Sequence, residues 1–252
     1  MPTYKKPPRF MKIAHRGASS YAPENTFAAY DKALEMGIDQ IELDVHFTRD
    51  DHLVVFHDDT VDRTSNGTGP VLEHTLDEMR SLDAGSWFGP EYAGERVRSL
   101  AELFEHYKGR LYFHIEIKGR SVGLARRTID MVRGHGLTDG VTITSFSRDR
   151  LAEASAYDSV LPKGWLIPPG QNPWEDTYIA QCATLGLTQI CFRGDLATPE
   201  FVESIHKAGY QARPWGITDE DIMRRAVDSG ADGMTINFPD KLLEYLRAKG
   251  IQ

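Results

Sequence analysis

In each of two short apolar segments, a carboxylate is followed two positions later by a second charged residue. Glu42 and Asp44 flank Leu43 in one segment, and Glu116 precedes Lys118 by two positions in the other. Residues two apart in an extended strand lie on the same face. Three carboxylates gathered in an interior repel one another unless a cation lies between them. Since all-oxygen ligand sets favour Mg²⁺, Ca²⁺ or Mn²⁺ over Zn²⁺, we predict one divalent cation, Mg²⁺ or Ca²⁺, on Glu42, Asp44 and Glu116.

Two histidines end apolar segments elsewhere in the chain and are candidates for acid and base chemistry. His15 ends the first segment and precedes Arg16, and His57 follows residues 53–56 and precedes Asp58. An imidazole has an ordinary pKa of about 6.5, so one neutral and one protonated histidine can share base and acid work near neutral pH. A lone histidine is usually structural, but a pair beside a carboxylate cluster favours catalysis by His15 and His57.

Cations and aromatic residues near these positions are suited to a phosphate-containing ligand. Arg16 offers bidentate phosphate contacts and Lys118 a point charge, although both could instead form rim ion pairs with the carboxylates. Trp215 and Phe88 could wall a pocket, or the tryptophan could belong to the core. Asn25 could reach a phosphate or a metal, or it could cap the first helix, which is a common use of asparagine.

The elements that must position these residues alternate between strand-like and helix-like segments. The predicted strands are residues 12–15, 40–47, 111–117, 141–144, 164–167, 189–192, 211–215 and 233–237. The clear predicted helices are residues 25–36, 122–135, 149–157, 174–185, 199–208, 220–229 and 241–249. This repetition predicts an α/β fold with a parallel sheet, specifically a TIM (β/α)₈ barrel whose active site lies at the strand carboxyl ends. An open doubly wound sheet is the alternative, but no G-x-G-x-x-G motif follows the first strand.

One stretch interrupts the alternation. Residues 58–98 are rich in Gly, Asp and Thr, and only residues 76–82 have a convincing helical pattern. We interpret residues 58–98 as a small insertion after the second strand, a subdomain at the C-terminal rim. The whole chain, residues 1–252, is otherwise predicted to be a single barrel domain.

Composition argues against several classes of binding partner and favours one location. The chain has 252 residues, a net charge of −8 and two cysteines. An acidic balance argues against binding to nucleic acid or to anionic membranes. No apolar run approaches a membrane span or a signal peptide, so we expect no stable membrane insertion. Sparse cysteines favour a cytoplasmic protein. The oligomeric state is left open.

The ordered motifs resemble those of the glycerophosphodiester phosphodiesterase family, over residues 12 to about 242. The resemblance rests on His15-Arg16-Gly17, Pro23-Glu24-Asn25-Thr26, Glu42-Leu43-Asp44, His57-Asp58 and Glu116-Ile117-Lys118. Residues 82–88 look like the family's inserted subdomain, and residues 230–234 resemble its last-strand motif. The resemblance implies a TIM-barrel hydrolase that cleaves a small-molecule glycerophosphodiester to an alcohol and sn-glycerol 3-phosphate.

The resemblance also implies roles for individual residues. The family's metal ligands correspond to Glu42, Asp44 and Glu116, and its acid/base pair to His15 and His57. Arg16 and Lys118 match phosphate-contacting positions, and Trp215 matches a wall of the glycerol pocket. We expect His15 to be the base and His57 the acid. The attacking group is water or the neighbouring glycerol hydroxyl, and the sequence leaves that choice open.

Three positions depart from the family pattern. Gly216 follows the tryptophan where threonine is frequent, Asn237 stands where aspartate is common, and Arg98 stands where proline is usual. They affect the expected substrate range rather than the reaction class. Two alternative functions are a non-catalytic barrel that binds a phosphodiester and a phospholipase-like enzyme that acts on lipid phosphodiesters. The insertion carries Trp87, Phe88 and Tyr92 but little basic charge, which favours a soluble substrate over a lipid surface.

Overall fold

The structure is a computed structural model that describes residues 3–170 and 176–251. Eight parallel strands form a nearly closed barrel with helices outside, so the predicted fold class is confirmed. The strand order along the sheet is β8-β7-β6-β5-β4-β2-β1-β9. Backbone hydrogen bonds from Asp232 to Ala212 (2.9 Å) and from Thr235 to Pro214 (3.2 Å) link the two ends of this order.

The strands fall close to the predicted segments. They are β1 (Met11–His15), β2 (Gln40–Phe47), β3 (Leu53–Val55), β4 (Tyr112–Ile117), β5 (Val141–Ser145), β6 (Lys163–Leu166), β7 (Gln189–Cys191), β8 (Gln211–Ala212) and β9 (Gly233–Ile236). Only β3 lies outside the barrel order, paired antiparallel with β2. β8 is shorter than predicted, and Trp215 lies beyond its end, joined to Arg193 by an isolated bridge.

The α-helices pack around the sheet. They are α1 (Phe27–Glu35), α2 (Leu76–Ser81), α3 (Leu100–Tyr107), α4 (Leu124–Gly134), α5 (Arg148–Tyr157), α6 (Asp176–Thr184), α7 (Pro199–Lys207), α8 (Glu220–Asp228) and α9 (Pro239–Lys249). α3 is absent from the predicted set, although Ser99 and Glu102 form a capping box at its start. The predicted start of α6, at residue 174, lies outside the described residues.

Alternation along each strand separates an apolar outer face from a polar inner face. Leu43 and Val45 of β2 are fully buried in a cluster that includes Tyr30 of α1 and Ile115 of β4. A second apolar cluster covers the other half of the barrel, from Trp165 on β6 to Met234 on β9. Because the outer faces supply this packing, the inner face is left free for polar side chains.

The segment between β3 and α3 has its own small apolar cluster. Val61, Val71, Met79 and Ala84 are buried there with Val54 of β3, Phe56 and Val97. Thr75 and Glu78 form a capping box that starts α2. The segment is thus held together by its own contacts.

No helix among the described residues is both long enough and apolar enough to cross a lipid bilayer.

Candidate active site

A cavity of about 480 Å³ opens where the parallel strands end at their carboxyl termini. The inward-facing residues of several strands line it, together with loop residues that follow them: His15, Arg16, Ser20, Glu42, His57, Glu116, Lys118, Thr144, Phe146, Leu166, Arg213, Trp215, Gly216, Ile217, Thr218, Thr235, Asn237 and Phe238. Carboxylates and histidines that lie far apart in the sequence therefore line the same cavity.

Glu42, Asp44 and Glu116 converge at this mouth of the barrel. One oxygen from each of the three carboxylates lies within 4.8 Å of the others, and all three residues are buried. The parallel register explains the convergence, because β2 and β4 pair directly with Asp44 opposite Glu116. Hence the three carboxylates are placed by strand pairing rather than by flexible loops.

Burial and mutual repulsion set the protonation of these carboxyl groups. Burial, together with the charge of Asp44, holds the pKa of Glu42 well above its usual range. The same two causes raise the pKa of Glu116 to about 7. Burial also acts against ionisation of Asp44, but the charges of Arg16 and His57 hold its pKa below the ordinary value. Charge is therefore concentrated on Asp44 in the metal-free protein.

The donor set fits a divalent cation. Oδ1 of Asp44 is buried and accepts no hydrogen bond from any residue the structure describes. The Asn25 amide donates to the other oxygen, Oδ2, at 3.2 Å. An ion between the three carboxylates would satisfy the unpartnered oxygen and relieve the repulsion that raises the pKa of Glu42.

Asn25 lies next to the acidic cluster and does not cap helix α1. Its amide oxygen accepts a hydrogen bond from the Tyr30 hydroxyl at 3.0 Å, and the cap residue is Thr26, whose side chain accepts from the backbone of Ala29. The helix-cap interpretation of Asn25 is wrong because the helix begins two residues later. Asn25 instead orients Asp44.

The backbone at the end of β1 is held in an unusual conformation. Arg16 has a φ of 57° and Asn25 a φ of 58°, two of three described non-glycine residues in the left-handed region. Gly17 follows with a φ of 86°, and a Cβ there would lie 2.6 Å from the Ala29 backbone. Such strain is concentrated at functional sites. Here it turns the Arg16 side chain back toward Asp44, with Nε 3.4 Å from Oδ2.

His15 faces the acidic cluster through one ring nitrogen and Asn237 through the other. Nε2 lies 3.7 Å from Oε2 of Glu42, and Nδ1 lies 2.6 Å from the Asn237 amide oxygen. Burial, with the nearby Arg16 charge, lowers the pKa of His15 to about 4. The ring is therefore neutral at neutral pH.

His57 reaches the same cavity from the segment after β3. Its Nδ1 lies 2.5 Å from Oδ1 of Asp58, so this histidine has a carboxylate partner where His15 has an amide. Burial, with the charges of Arg16 and Lys118, lowers the pKa of His57, while the charge of Asp44 and the hydrogen bond with Asp58 act in the opposite direction. The two histidines thus occupy different electrostatic environments.

Lys118 and the aromatic residues complete the cavity. Lys118 Nζ lies 3.2 Å from Glu116 and 3.9 Å from Asp44. Trp215 packs edge-on against Phe146, with ring centroids 5.0 Å apart, and lines the cavity wall. Phe88 packs between Trp87 and Tyr92 in the inserted segment, and it is not among the described residues that line the cavity.

Sequence reasoning gave no role to three residues that the structure joins to the site. Glu24 binds Arg16 at 2.9 Å, Arg63 binds both Glu24 and Asp58, and Asn237 contacts His15. Glu24 lies within a recognised motif and Asn237 was noted only as a departure. Arg63 carries no local signal for its contact with Glu24, which lies 39 positions away on another loop, although Asp58 lies five positions away.

An α/β barrel with an acidic cluster and paired histidines at its C-terminal mouth defines a class of hydrolytic enzymes. The sequence model of the glycerophosphoryl diester phosphodiesterase family matches residues 15–241. The chain belongs to this family, and it is a phosphodiesterase.

Relatives named as glycerophosphodiester phosphodiesterases align with almost the whole chain. It is 38% identical to a glycerophosphodiester phosphodiesterase of Caldanaerobacter subterraneus subsp. tengcongensis, over 94% of this chain and 98% of the relative. It is 33% identical to a glycerophosphodiester phosphodiesterase of Bacillus subtilis, over 93% of this chain and 85% of the relative.

Solved structures agree with the fold. A glycerophosphodiester phosphodiesterase from Agrobacterium tumefaciens superposes with a TM-score of 0.81 at 30% identity, covering 97% of this chain and 100% of its own. A phosphodiesterase of Oleispira antarctica, solved with the product sn-glycerol-3-phosphate, gives a TM-score of 0.85 at 28% identity. That match covers 95% of this chain and 97% of the other.

Proposed function

We propose that the protein hydrolyses glycerophosphodiesters to an alcohol and sn-glycerol 3-phosphate with a divalent cation, Mg²⁺ or Ca²⁺, and two histidines. The observation that carries this proposal is that Glu42, Glu116 and the two histidines line one cavity, and that the buried carboxylate of Asp44 clusters with those of the two glutamates. Family membership and the product complex of the Oleispira antarctica relative support the reaction and the substrate class.

Glu42, Asp44 and Glu116 would hold the cation. When bound, it would offset the negative charge that develops on the phosphate. Arg16 and Lys118 bind the phosphate oxygens and add electrostatic stabilisation. Trp215 walls the glycerol end of the cavity. Asn25 acts through its hydrogen bond to Asp44, and Phe88, which does not line the cavity, is assigned no contact with the substrate.

The two histidines divide the proton transfers. His15 is the base, because burial keeps it neutral and the Asn237 amide leaves Nε2 with its lone pair toward the cavity. His57 is the acid, because Asp58 stabilises a proton on its ring, which the leaving alkoxide then receives. The reaction therefore requires both rings and a water-accessible mouth.

The chain's organisation and location are part of the same proposal. Residues 58–98 form a small subdomain of a single barrel domain, a view supported by their separate apolar cluster. We place the protein in the cytoplasm, a location favoured by its two free cysteines, Cys182 and Cys191.

Release of glycerol 3-phosphate from glycerophosphocholine tests the reaction. The protein is assayed after EDTA treatment and again with Mg²⁺ or Ca²⁺ restored. Metal-dependent release supports the reaction and the carboxylate site together. Release that EDTA does not affect contradicts an exchangeable metal, and no release with any head group contradicts the reaction.

Substitution of each histidine tests the acid/base roles. His15→Ala and His57→Ala are each expected to lower kcat by about 100-fold or more, with the far-ultraviolet circular dichroism unchanged. His52→Ala is the matched control, since that side chain is 54% exposed outside the cavity. Full activity in either active-site variant contradicts its assigned role.

A further inference from the structure

Arg63 connects two loops that both lead into the active site. Its guanidinium donates to both oxygens of Asp58, from Nε at 2.6 Å and from Nη2 at 3.0 Å. It donates as well to both oxygens of Glu24, from Nη1 at 2.9 Å and from Nη2 at 2.8 Å. A single side chain therefore holds two carboxylates whose positions are 34 residues apart in sequence (58 − 24).

Each of these carboxylates touches a residue of the proposed catalytic machinery. Asp58 contacts Nδ1 of His57 at 2.5 Å, and Glu24 accepts from Arg16 at 2.9 Å. Arg16 in turn lies 3.4 Å from Asp44. A continuous line of charged contacts consequently runs from His57 through Arg63 to Arg16 and the acidic cluster.

The geometry of these contacts differs from that of an ordinary surface ion pair. Surface pairs contribute little when both partners are exposed and make a single contact. Here the Arg63 side chain is 45% exposed but Glu24 is only 12% exposed, and Arg63 uses its planar donors on both carboxylates at once. Arg63 also holds the pKa of Asp58 well below its usual range, mainly through the hydrogen bonds it donates. Asp58 is thus a fixed anion facing the His57 ring.

We propose that Arg63 is a positioning residue, which fixes the His57 ring through Asp58 and the Arg16 guanidinium through Glu24. This inference rests on the roles proposed above for His57 and Arg16. Without Arg63, Asp58 loses its second anchor and can rotate away from the ring. Glu24 likewise keeps Arg16 as its remaining hydrogen-bond partner among the described residues. The Arg16 side chain can then move with Glu24 away from the phosphate. Arg63 itself does not line the cavity and is not a catalytic residue.

Substitution of Arg63 should lower turnover without unfolding the protein. Arg63→Ala is expected to lower kcat for glycerophosphocholine by about 10–100-fold, the usual cost of losing a partner that orients a functional side chain. Arg63→Lys should be impaired as well, because an ammonium cannot supply four donors in one plane. The control is Arg49→Ala, which removes a similar but exposed contact to Glu78 and should leave kcat unchanged.

Two measurements separate positioning from mere stabilisation. Guanidinium chloride at millimolar, non-denaturing concentration should restore part of the turnover of Arg63→Ala, since the ion can occupy the vacated site. It should not improve Arg49→Ala. A double-mutant cycle adds a second criterion. The double variant Asp58→Asn/Arg63→Ala should lose less kcat than the two single losses predict when their fold-changes are multiplied, since both substitutions act through His57.

The outcomes distinguish this inference from the proposed function. An active parent whose Arg63→Ala and Arg63→Lys variants keep kcat within twofold overturns the positioning role and leaves the function standing. A lower melting temperature with unchanged kcat likewise overturns the positioning role and leaves the proposed function standing. If Arg63→Ala does not fold, Arg63→Lys alone decides by the same threshold. A parent that releases no glycerol 3-phosphate contradicts the proposed function and this inference together.

Discussion

The amide oxygen of Asn237, just after β9, lies 2.6 Å from Nδ1 of His15 at the end of the adjacent strand β1. An amide oxygen accepts but does not donate, so the proton of a neutral His15 ring resides on Nδ1. Nε2 consequently has its lone pair directed to the cavity. A carboxylate in place of the Asn237 amide would favour the charged ring.

Replacing Asn237 should change the pH dependence of catalysis. Asn237→Asp places a negative charge beside Nδ1, which raises the pKa of His15 and keeps the base protonated to higher pH. The acidic limb of the kcat/KM profile should therefore move to higher pH in this variant. Asn237→Ala removes the orienting contact and should lower kcat by about 10-fold or more. A pH profile of Asn237→Asp that overlays the parent's contradicts this account.

Neutralising Glu116 should stabilise the metal-free protein. Burial and Asp44 raise the pKa of Glu116 in the folded state to about 7, above its ordinary value. The folded state therefore holds this proton more tightly, and ionisation costs stability increasingly above about pH 4.5 and fully above pH 7. Glu116→Gln should raise the free energy of unfolding at pH 8 by about 1–3 kcal/mol and abolish metal-dependent activity.

Urea unfolding after EDTA treatment measures this effect. The stabilisation should shrink as the pH falls toward 4.5, where the parent carboxyl is also neutral. Glu105→Gln, at an exposed position of α3, serves as the control and should change stability little at either pH. A Glu116→Gln variant less stable than the parent at pH 8 would show that the Lys118 contact outweighs the repulsion.

Metal binding should release protons near neutral pH. Burial and Asp44 raise the pKa of Glu42 and of Glu116, so these carboxyls carry protons in the metal-free protein. A cation binds the ionised forms, and its affinity should therefore increase with pH. Calorimetry at pH 7 in two buffers of different ionisation enthalpy should detect release of about one proton per ion. Identical heats in the two buffers would refute proton-coupled binding.

Gly17 should tolerate no side chain. Its φ of 86° is in the left-handed region, and a Cβ would lie 2.6 Å from both the carbonyl carbon and the Cβ of Ala29. Gly17→Ala should destabilise the protein by about 1–3 kcal/mol and displace Arg16. Gly37→Ala is a matched control, because Gly37 has the same φ of 86° with open space around it. Thermal melting should rank Gly17→Ala below Gly37→Ala, and equal melting temperatures would contradict a steric cause.

Local periodicity determined much of the barrel. The alternation of strand and helix segments predicted the fold class, and the two-residue spacing placed Glu42 and Asp44 on one face of β2. The same periodicity predicted the ends of helices and strands less accurately. Helix α1 begins at Phe27 because Thr26 supplies the cap, and β8 is short because its end at the barrel seam makes isolated rather than continuous backbone pairs.

The sequence by itself determined which side chains could do chemistry and, through strand parity, which of them would face inward. Only the tertiary structure decided their partners. His15 and Asn237 are 222 positions apart, and Arg63 and Glu24 are 39 apart. Such contacts carry no local pattern, because they form only when β9 pairs beside β1 and when Arg63 of the inserted segment reaches the loop that follows β1. The contact of His15 with Asn237 is therefore a property of the folded barrel, whereas His57 contacts Asp58, its neighbour in the sequence.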